Sequence, residues 1–302
     1  MLPYVLLYVV ASVLLVFFAM TNYRSFYVGF GILLACFGGV RYGVGKDYFS
    51  YIEAFSDMRT GNVVRGYEPL NWVLVKLAEG VGFADQAILF FYSAVTVLCT
   101  LLAIWRLSQG RAVSAYLFLT VSIFYLSSFN IARQWVAVSI GFFAVSMYAD
   151  RRYLYFLILV AIATCFHYSA VLVLLAPLFV RRYSVVICVI ALIGALGLGE
   201  VFIFLLSKTP YVHYLLDQFR SHKSGSSFLM AVYFLGLFSL VFLAGYFDRN
   251  LQLDRRVVIL CNMSMASVVL LMVGFVFGID FEPLMRVNLY FASASLFLAP
   301  AA

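Results

Sequence analysis

Apolar runs follow one another along the whole chain, each closed by a few polar residues. Runs at 2–20, 26–40, 84–105, 112–129, 131–149, 153–166, 168–180, 184–206, 227–247, 257–278 and 285–302 predict about 11 membrane helices. They lack the residue-by-residue alternation of a barrel strand. Residues 68–80 are too short and too polar to span. They predict an amphipathic helix at the interface, with Pro69 in its first turn. The expected fold is therefore all-α, a single polytopic transmembrane domain over residues 1–302. Its longer loops, 41–83 (with the interfacial helix) and 207–226, lie on one face.

Charge fixes the orientation. The turns around Arg24, Arg106–Arg111, Arg151–Arg152, Arg181–Arg182 and Arg249–Arg256 carry ten basic residues. Only three acids, Asp150, Asp248 and Asp254, share them. The positive-inside rule makes these turns cytoplasmic and the N-terminus outward. The opposite loops hold Asp47, Glu53, Asp57, Glu68, Asp217, Asp280 and Glu282, together with His167, His213 and His222. Varied titratable residues thus gather on the outer face.

Composition agrees. The chain of 302 residues is 65% hydrophobic and 11% charged, far below a soluble domain. Its net charge of +7 resides at helix ends rather than in a basic block, so no nucleic-acid partner is expected. Cys36, Cys99, Cys165, Cys188 and Cys261 all lie inside apolar runs and form no C-x-x-C pair. They read as small packing residues, and no metal is expected. Without a basic segment before the first apolar run, residues 2–20 read as a retained helix rather than a cleaved leader.

Three polar clusters interrupt the apolar pattern on the outer side: Arg41 to Tyr48, Asn130 to Gln134, and His167. Only 28 residues separate Arg152 from Arg181. Two full crossings need about 20 residues each. The hairpin tip at His167 should stop below the surface, at the floor of a recess. Gly43-x-Gly45-Lys46 lacks the first glycine and the final Ser/Thr of a phosphate loop, which excludes a Walker nucleotide site. Its glycines still let backbone N–H groups approach an anion.

Arg41 suits anion binding through its planar fork, or a snorkelling anchor. Asn130, Arg133 and Gln134 share one helical face. Asn130 can cap the helix, but the helix dipole disfavours Arg133 at that end. A bound anion would relieve the conflict. His167, with an ordinary pKa near neutrality, suits a general base. Arg286 opens another outer helix, where Asp280 or Glu282 can pair with it.

At these residues the sequence resembles the bacterial polysaccharide polymerase family, the Wzy and EpsG-like proteins. The matching pieces are Arg41-Tyr42-x-Val44-Gly45-x-Asp47-Tyr48-x-x-Tyr51, Tyr67-Glu68-Pro69-Leu70, Asn130-x-x-Arg133-Gln134-x-x-Ala137, Phe166-His167-x-Ser169-Ala170 and Arg286-x-x-x-Tyr290. They occur in family order over nearly the whole chain. Family members usually continue beyond the Arg286 helix, whereas this chain stops at Ala302.

The resemblance implies a metal-independent, GT-C-type glycosyltransferase of the bacterial inner membrane. It would polymerise undecaprenyl-diphosphate-linked oligosaccharide repeat units for O-antigen, capsule or exopolysaccharide, with its active site facing outward. Donor and acceptor glycolipids, membrane lipid and a chain-length regulator protein are the implied partners; no cofactor is required. Within this reading, His167 is the first candidate base, with Asp47 and Glu68 behind it. Arg41, Lys46, Asn130, Arg133, Gln134 and Arg286 would bind diphosphate and sugar. A lipid-linked oligosaccharide flippase or an O-antigen-type ligase would call on similar residues.

Overall fold

The computed structural model describes residues 2–181 apart from Val63 and Arg65, the single residue Gly194, and residues 254–276 and 281–298. The helices expected at 184–206 and 227–247 and the loop at 207–226 lie outside the described residues. Every regular element among the described residues is helical. The chain divides at Leu174 into two units.

The first unit contains eight α-helices: α1 (Leu2–Thr21), α2 (Arg24–Gly39), α3 (Tyr48–Thr60), α4 (Pro69–Val81), α5 (Asp85–Leu107), α6 (Arg111–Thr120), α7 (Ala132–Ala149) and α8 (Tyr153–Phe166). Of these, α1 and α5 are long and apolar enough to cross a membrane; α2 and α8 are shorter apolar helices. The outward face of α1 is itself apolar, with Leu6, Val9, Val13 and Phe17 exposed. Hydrocarbon would solvate that face at no cost, whereas water would not.

Packing is centred on α5 and α7. Helix α5 lies between α2 and α7, and α8 packs on the far side of α7. Polar side chains tie the apolar helices together. Tyr27 donates to Leu101 O at 3.0 Å, Ser93 to Ala35 O at 3.0 Å and Tyr125 to Leu34 O at 2.7 Å. Such bonds satisfy hydroxyls that have no water to turn to. Arg106 and Asp150 pair at the end of the bundle that carries Arg24, Arg111, Arg151 and Arg152.

Four sequence expectations are corrected. Residues 41–67 are not all loop, because α3 occupies Tyr48–Thr60. Tyr48, Tyr51, Phe55 and Met58 give it a buried stripe at helical spacing. The run 112–129 is not one helix. It ends at Thr120 and resumes as a 3-10 turn at Leu126–Phe129. There the Ser127 and Ser128 hydroxyls bond local carbonyls, and Ser127 Oγ also accepts from Trp135 Nε1 at 2.7 Å. Serine side chains that compete for the backbone in this way disfavour a continuous helix.

Tyr168–Val180 winds as 3-10 helix around Pro177, which has no N–H to give. The last expected helix, 285–302, begins earlier and breaks. It forms α10 (Phe281–Ala292), a turn at Ser293–Ala294 and α11 (Ser295–Leu298).

In the second unit α10 and α11 pack on α9 (Arg255–Val276). Asn262 Nδ2 donates to Phe179 O at 2.7 Å and Arg181 O at 2.8 Å, tying α9 to the end of the 3-10 segment. The Phe179 and Phe291 rings meet edge to face.

Candidate active site

At the end of α2 the chain turns through Arg41 to Asp47 and folds back against the 3-10 turn before α7. Gly45 makes the approach possible. Its φ is +103°, and an added Cβ would lie 2.8 Å from Phe129 O. Only glycine combines that conformation with that clearance. Next to it, Lys46 N–H donates to Asn130 Oδ1 at 2.7 Å. Asn130 therefore docks this loop and makes no side-chain cap on α7, whose N-cap residue is Ile131.

Arg41 is 7% exposed. Its guanidinium donates to Phe129 O at 3.1 Å and Gly38 O at 3.3 Å, and lies over the Phe129 ring. Gln86, in the first turn of α5, holds the other side of the loop. Its Nε2 donates to Gly39 O and Arg41 O, and its Oε1 accepts from Tyr48 OH at 2.6 Å. The glycine-rich loop is thus fastened to both α5 and the α7 approach.

A second cluster is built around Glu68, the N-cap residue of α4. Glu68 Oε2 accepts from Arg133 Nη1 at 2.6 Å and from Asn71 Nδ2 at 3.1 Å. Glu68 Oε1 accepts from the Tyr168 backbone N–H at 3.4 Å. Arg133 Nη1 also donates to Gly66 O at 2.9 Å, and the guanidinium stacks 3.7 Å from the Tyr67 ring centroid. The charge expected to conflict with the α7 dipole is thus met within the protein, by a carboxylate carried in from α4.

Asn71, fully buried, extends the network. Its Nδ2 also donates to Phe166 O at 3.1 Å, and its Oδ1 accepts from Tyr92 OH at 2.7 Å. Tyr51, Phe55, Tyr67, Tyr92 and Phe166 form a chain of ring contacts around these groups. Tyr51 is close enough to both Arg41 and Arg133 to interact electrostatically with each, so it links the two clusters.

Burial shifts the acid groups. Glu68 is raised above the ordinary glutamate value because burial outweighs the opposing pull of Arg133 and of the N–H groups that reach it. The Tyr67 hydroxyl is pushed up to about 12 by burial, with Arg133 pulling the other way.

His167 ends α8 in extended conformation, φ −157° and ψ 119°. Its Nδ1 lies 2.7 Å from Ser169 Oγ, and the side chain is half-buried. The neighbouring residues on either side, Phe166 and Tyr168, both touch the Glu68–Asn71 network through their backbones. Asp47 is half-exposed at the start of α3, and Lys46 is exposed. Gln134 is buried in α7.

The structure therefore brings Arg41, Lys46 and Asn130 together, and Glu68 together with Arg133 and the backbone beside His167. Arg286 lies exposed on α10, in the other unit. Its expected carboxylate partners Asp280 and Glu282 are outside the described side chains.

Sequence reasoning missed Asn71, Gln86 and Tyr92 as parts of the site. Asn71 carried a readable signal: it lies three residues after Glu68, on the buried face of an amphipathic helix. Tyr92 carried none, because an aromatic residue within an apolar run is unremarkable. Among the described residues no cluster of His, Cys, Asp or Glu could hold a metal ion.

Residues 24–302 match the EpsG family, a family of polysaccharide polymerase-like membrane proteins. No curated protein and no solved structure matches the chain.

Proposed function

The chain belongs to the EpsG family, and on that footing we propose that it is a metal-independent glycosyltransferase. It joins oligosaccharide repeat units carried on undecaprenyl diphosphate at the outer face of the bacterial inner membrane. The fold would comprise about 11 spans with the Arg41, Glu68, Arg133 and His167 segments facing outward. The observation that carries this reading is convergence. Residues 41–47, 66–71, 129–134 and 166–169 are far apart in sequence, yet direct hydrogen bonds join the first to the third and the second to both the third and the fourth.

In the proposed reaction an acceptor hydroxyl attacks the anomeric carbon of the donor sugar. The new C–O bond forms as the old bond to diphosphate breaks, and polyprenyl diphosphate leaves with the electron pair. A single displacement inverts the anomeric centre. Diphosphate needs charge stabilisation more than protonation. Arg133, partly exposed, and Lys46, exposed, would meet it. Arg41 adds positive charge while holding the loop. Asn130 docks the loop that carries Lys46.

His167 takes the hydroxyl proton at Nε2. For that, Nδ1 must carry a proton and donate it to Ser169 Oγ. Glu68 already accepts from Arg133, Asn71 and Tyr168, so its role is to position Arg133 and the hairpin tip. Asp47 is the reserve base.

The test is incubation of purified protein with synthetic lipid-diphosphate repeat units, followed by gel separation. A ladder of lengthened glycans is expected. Movement of the intact donor across vesicles without a new glycosidic bond would overturn the proposal in favour of a transporter. Transfer to a foreign acceptor without lengthening would make the protein a ligase.

A further inference from the structure

The opposite end of the bundle carries a second feature that the glycosyl-transfer reading does not use. Between α2 and α5 runs an apolar groove of about 450 Å³, lined by Tyr27, Gly31, Ala35, Ala94 and Leu101, among others. Gly31 lets the two helices close at its floor: an added Cβ would lie 2.7 Å from Leu101 Cδ1. Large apolar side chains on its rim, Val28, Ile32 and Leu98, are more than half exposed. In the proposed membrane orientation this groove opens to hydrocarbon.

The charged end of the groove is distinctive. Trp105 closes it, and two guanidinium groups lie against the same indole ring, Arg111 at 4.0 Å and Arg24 at 5.1 Å from its centroid. Arg24 and Trp105 themselves line the groove. Among the described residues neither arginine has a carboxylate partner; the acid nearby, Asp150, is paired with Arg106. Arg111 is steadied by a bond from its Nε to Trp105 O at 3.2 Å, which leaves its terminal nitrogens to bind a ligand. Indole with arginine at a helix end is the chemistry of a headgroup interface.

We propose that the α2–α5 groove binds one anionic diacyl phospholipid of the cytoplasmic leaflet. An acyl chain lies along Gly31, Ala35 and Leu101, and the phosphate is held between Arg24 and Arg111. The charge of the site selects the headgroup, because two guanidinium groups with no carboxylate partner among the described residues favour an anion over a zwitterion. The inference stands apart from the catalytic reading, since these residues lie at the other end of α5 from Gln86.

Native mass spectrometry of the purified full-length protein in detergent tests it, with phosphatidylglycerol and phosphatidylcholine added in turn. Phosphatidylglycerol should bind at least about tenfold more tightly. The Arg24→Gln, Arg111→Gln double variant should bring the two lipids to equal affinity. Arg24→Gln alone, which gives up no hydrogen bond, should weaken phosphatidylglycerol severalfold and guards against misfolding of the double variant. Equal binding of both lipids to the unaltered protein would overturn the proposal. So would undiminished phosphatidylglycerol preference in Arg24→Gln and the double variant. Displacement of phosphatidylglycerol by equimolar undecaprenyl phosphate would overturn it too, by assigning the groove to the carrier lipid.

Discussion

Glu68 Oε2 lies 2.6 Å from Arg133 Nη1 and joins positions 65 residues apart in the chain. The Glu68 side chain is 5% exposed and the Arg133 side chain 18%. An ion pair so enclosed is costly to break, because removing one partner leaves the other charge without its counterion. Glu68→Gln and Arg133→Gln should each destabilise the protein, and the double variant should lose less than the sum. Unfolding of the four proteins in detergent should give a coupling of about 1–3 kcal/mol. A coupling within error of zero would mean that the pair is no more than a surface contact. Arg133→Lys should keep the protein in the membrane yet lose most polymer. Lysine offers neither the planar stack on Tyr67 nor the fixed fork.

The raised pKa of Glu68 has a sign in stability. Burial, the larger cause, favours the protonated carboxyl in the folded state. The contribution of Glu68 is then fully present below the ordinary glutamate value of about 4.3 and is lost as pH rises through the higher folded value. Thermal midpoints measured from pH 4 upward should fall across that window. Glu68→Gln, which cannot ionise, should flatten the slope there. A slope unchanged in the variant would assign it to another group.

Docking of the glycine-rich loop should depend on two positions for different reasons. Gly45→Ala meets both an unfavourable φ and the Phe129 carbonyl, so it should cost more than the ~1 kcal/mol of an ordinary glycine substitution. Asn130→Asp keeps an oxygen for the Lys46 N–H and should be milder than Asn130→Ala, which loses the bond and about 1 kcal/mol. Thermal unfolding ranks the three. If Asn130→Asp proved as damaging as Asn130→Ala, the amide would have a role beyond accepting from Lys46.

Much of this arrangement was legible in the sequence. Alternating basic turns put the Arg41, Asn130 and His167 segments at one end of the helices; the first two meet directly, and Glu68 joins Arg133 to the backbone beside His167. The all-helical class followed from the unbroken apolar runs. What was not legible depends on local competition. Serine hydroxyls at 127 and 128 unwind a run that hydropathy alone reads as helix. Helix α3 looked like loop because Ser50, Glu53, Ser56 and Asp57 interrupt its buried stripe of Tyr48, Tyr51, Phe55 and Met58. The destination of Glu68 was equally hidden, since an acid ahead of a proline reads as a helix start and gives no sign of a partner 65 residues on.

Orientation can be measured directly. In a protein freed of its native cysteines, Tyr42→Cys should react with a membrane-impermeant thiol reagent added to intact cells. Arg151→Cys should react only after lysis. Both positions are exposed, so access rather than burial decides the outcome. The reverse pattern would place the Arg41 loop in the cytoplasm and remove the outward-facing site.

His167 provides the sharpest test of mechanism. Its Nδ1 lies 2.7 Å from Ser169 Oγ, and the proposed mechanism takes the tautomer in which Nδ1–H donates to that hydroxyl and Nε2 is the base. The backbone on either side is fixed by Asn71 and Glu68, so the ring is presented from a rigid tip. His167→Ala should cut chain extension by about a hundred- to ten-thousand-fold and leave binding of the lipid-linked donor nearly unchanged. Ser169→Ala should cost less, because it frees the tautomer without removing the base. Its pH–rate profile should shift, a change that a packing role would not produce. Donor binding and ladder formation measured side by side decide the matter. Parallel loss of both in His167→Ala would make the residue a binding or packing element, and Asp47, half-exposed at the start of α3, would become the base to test next.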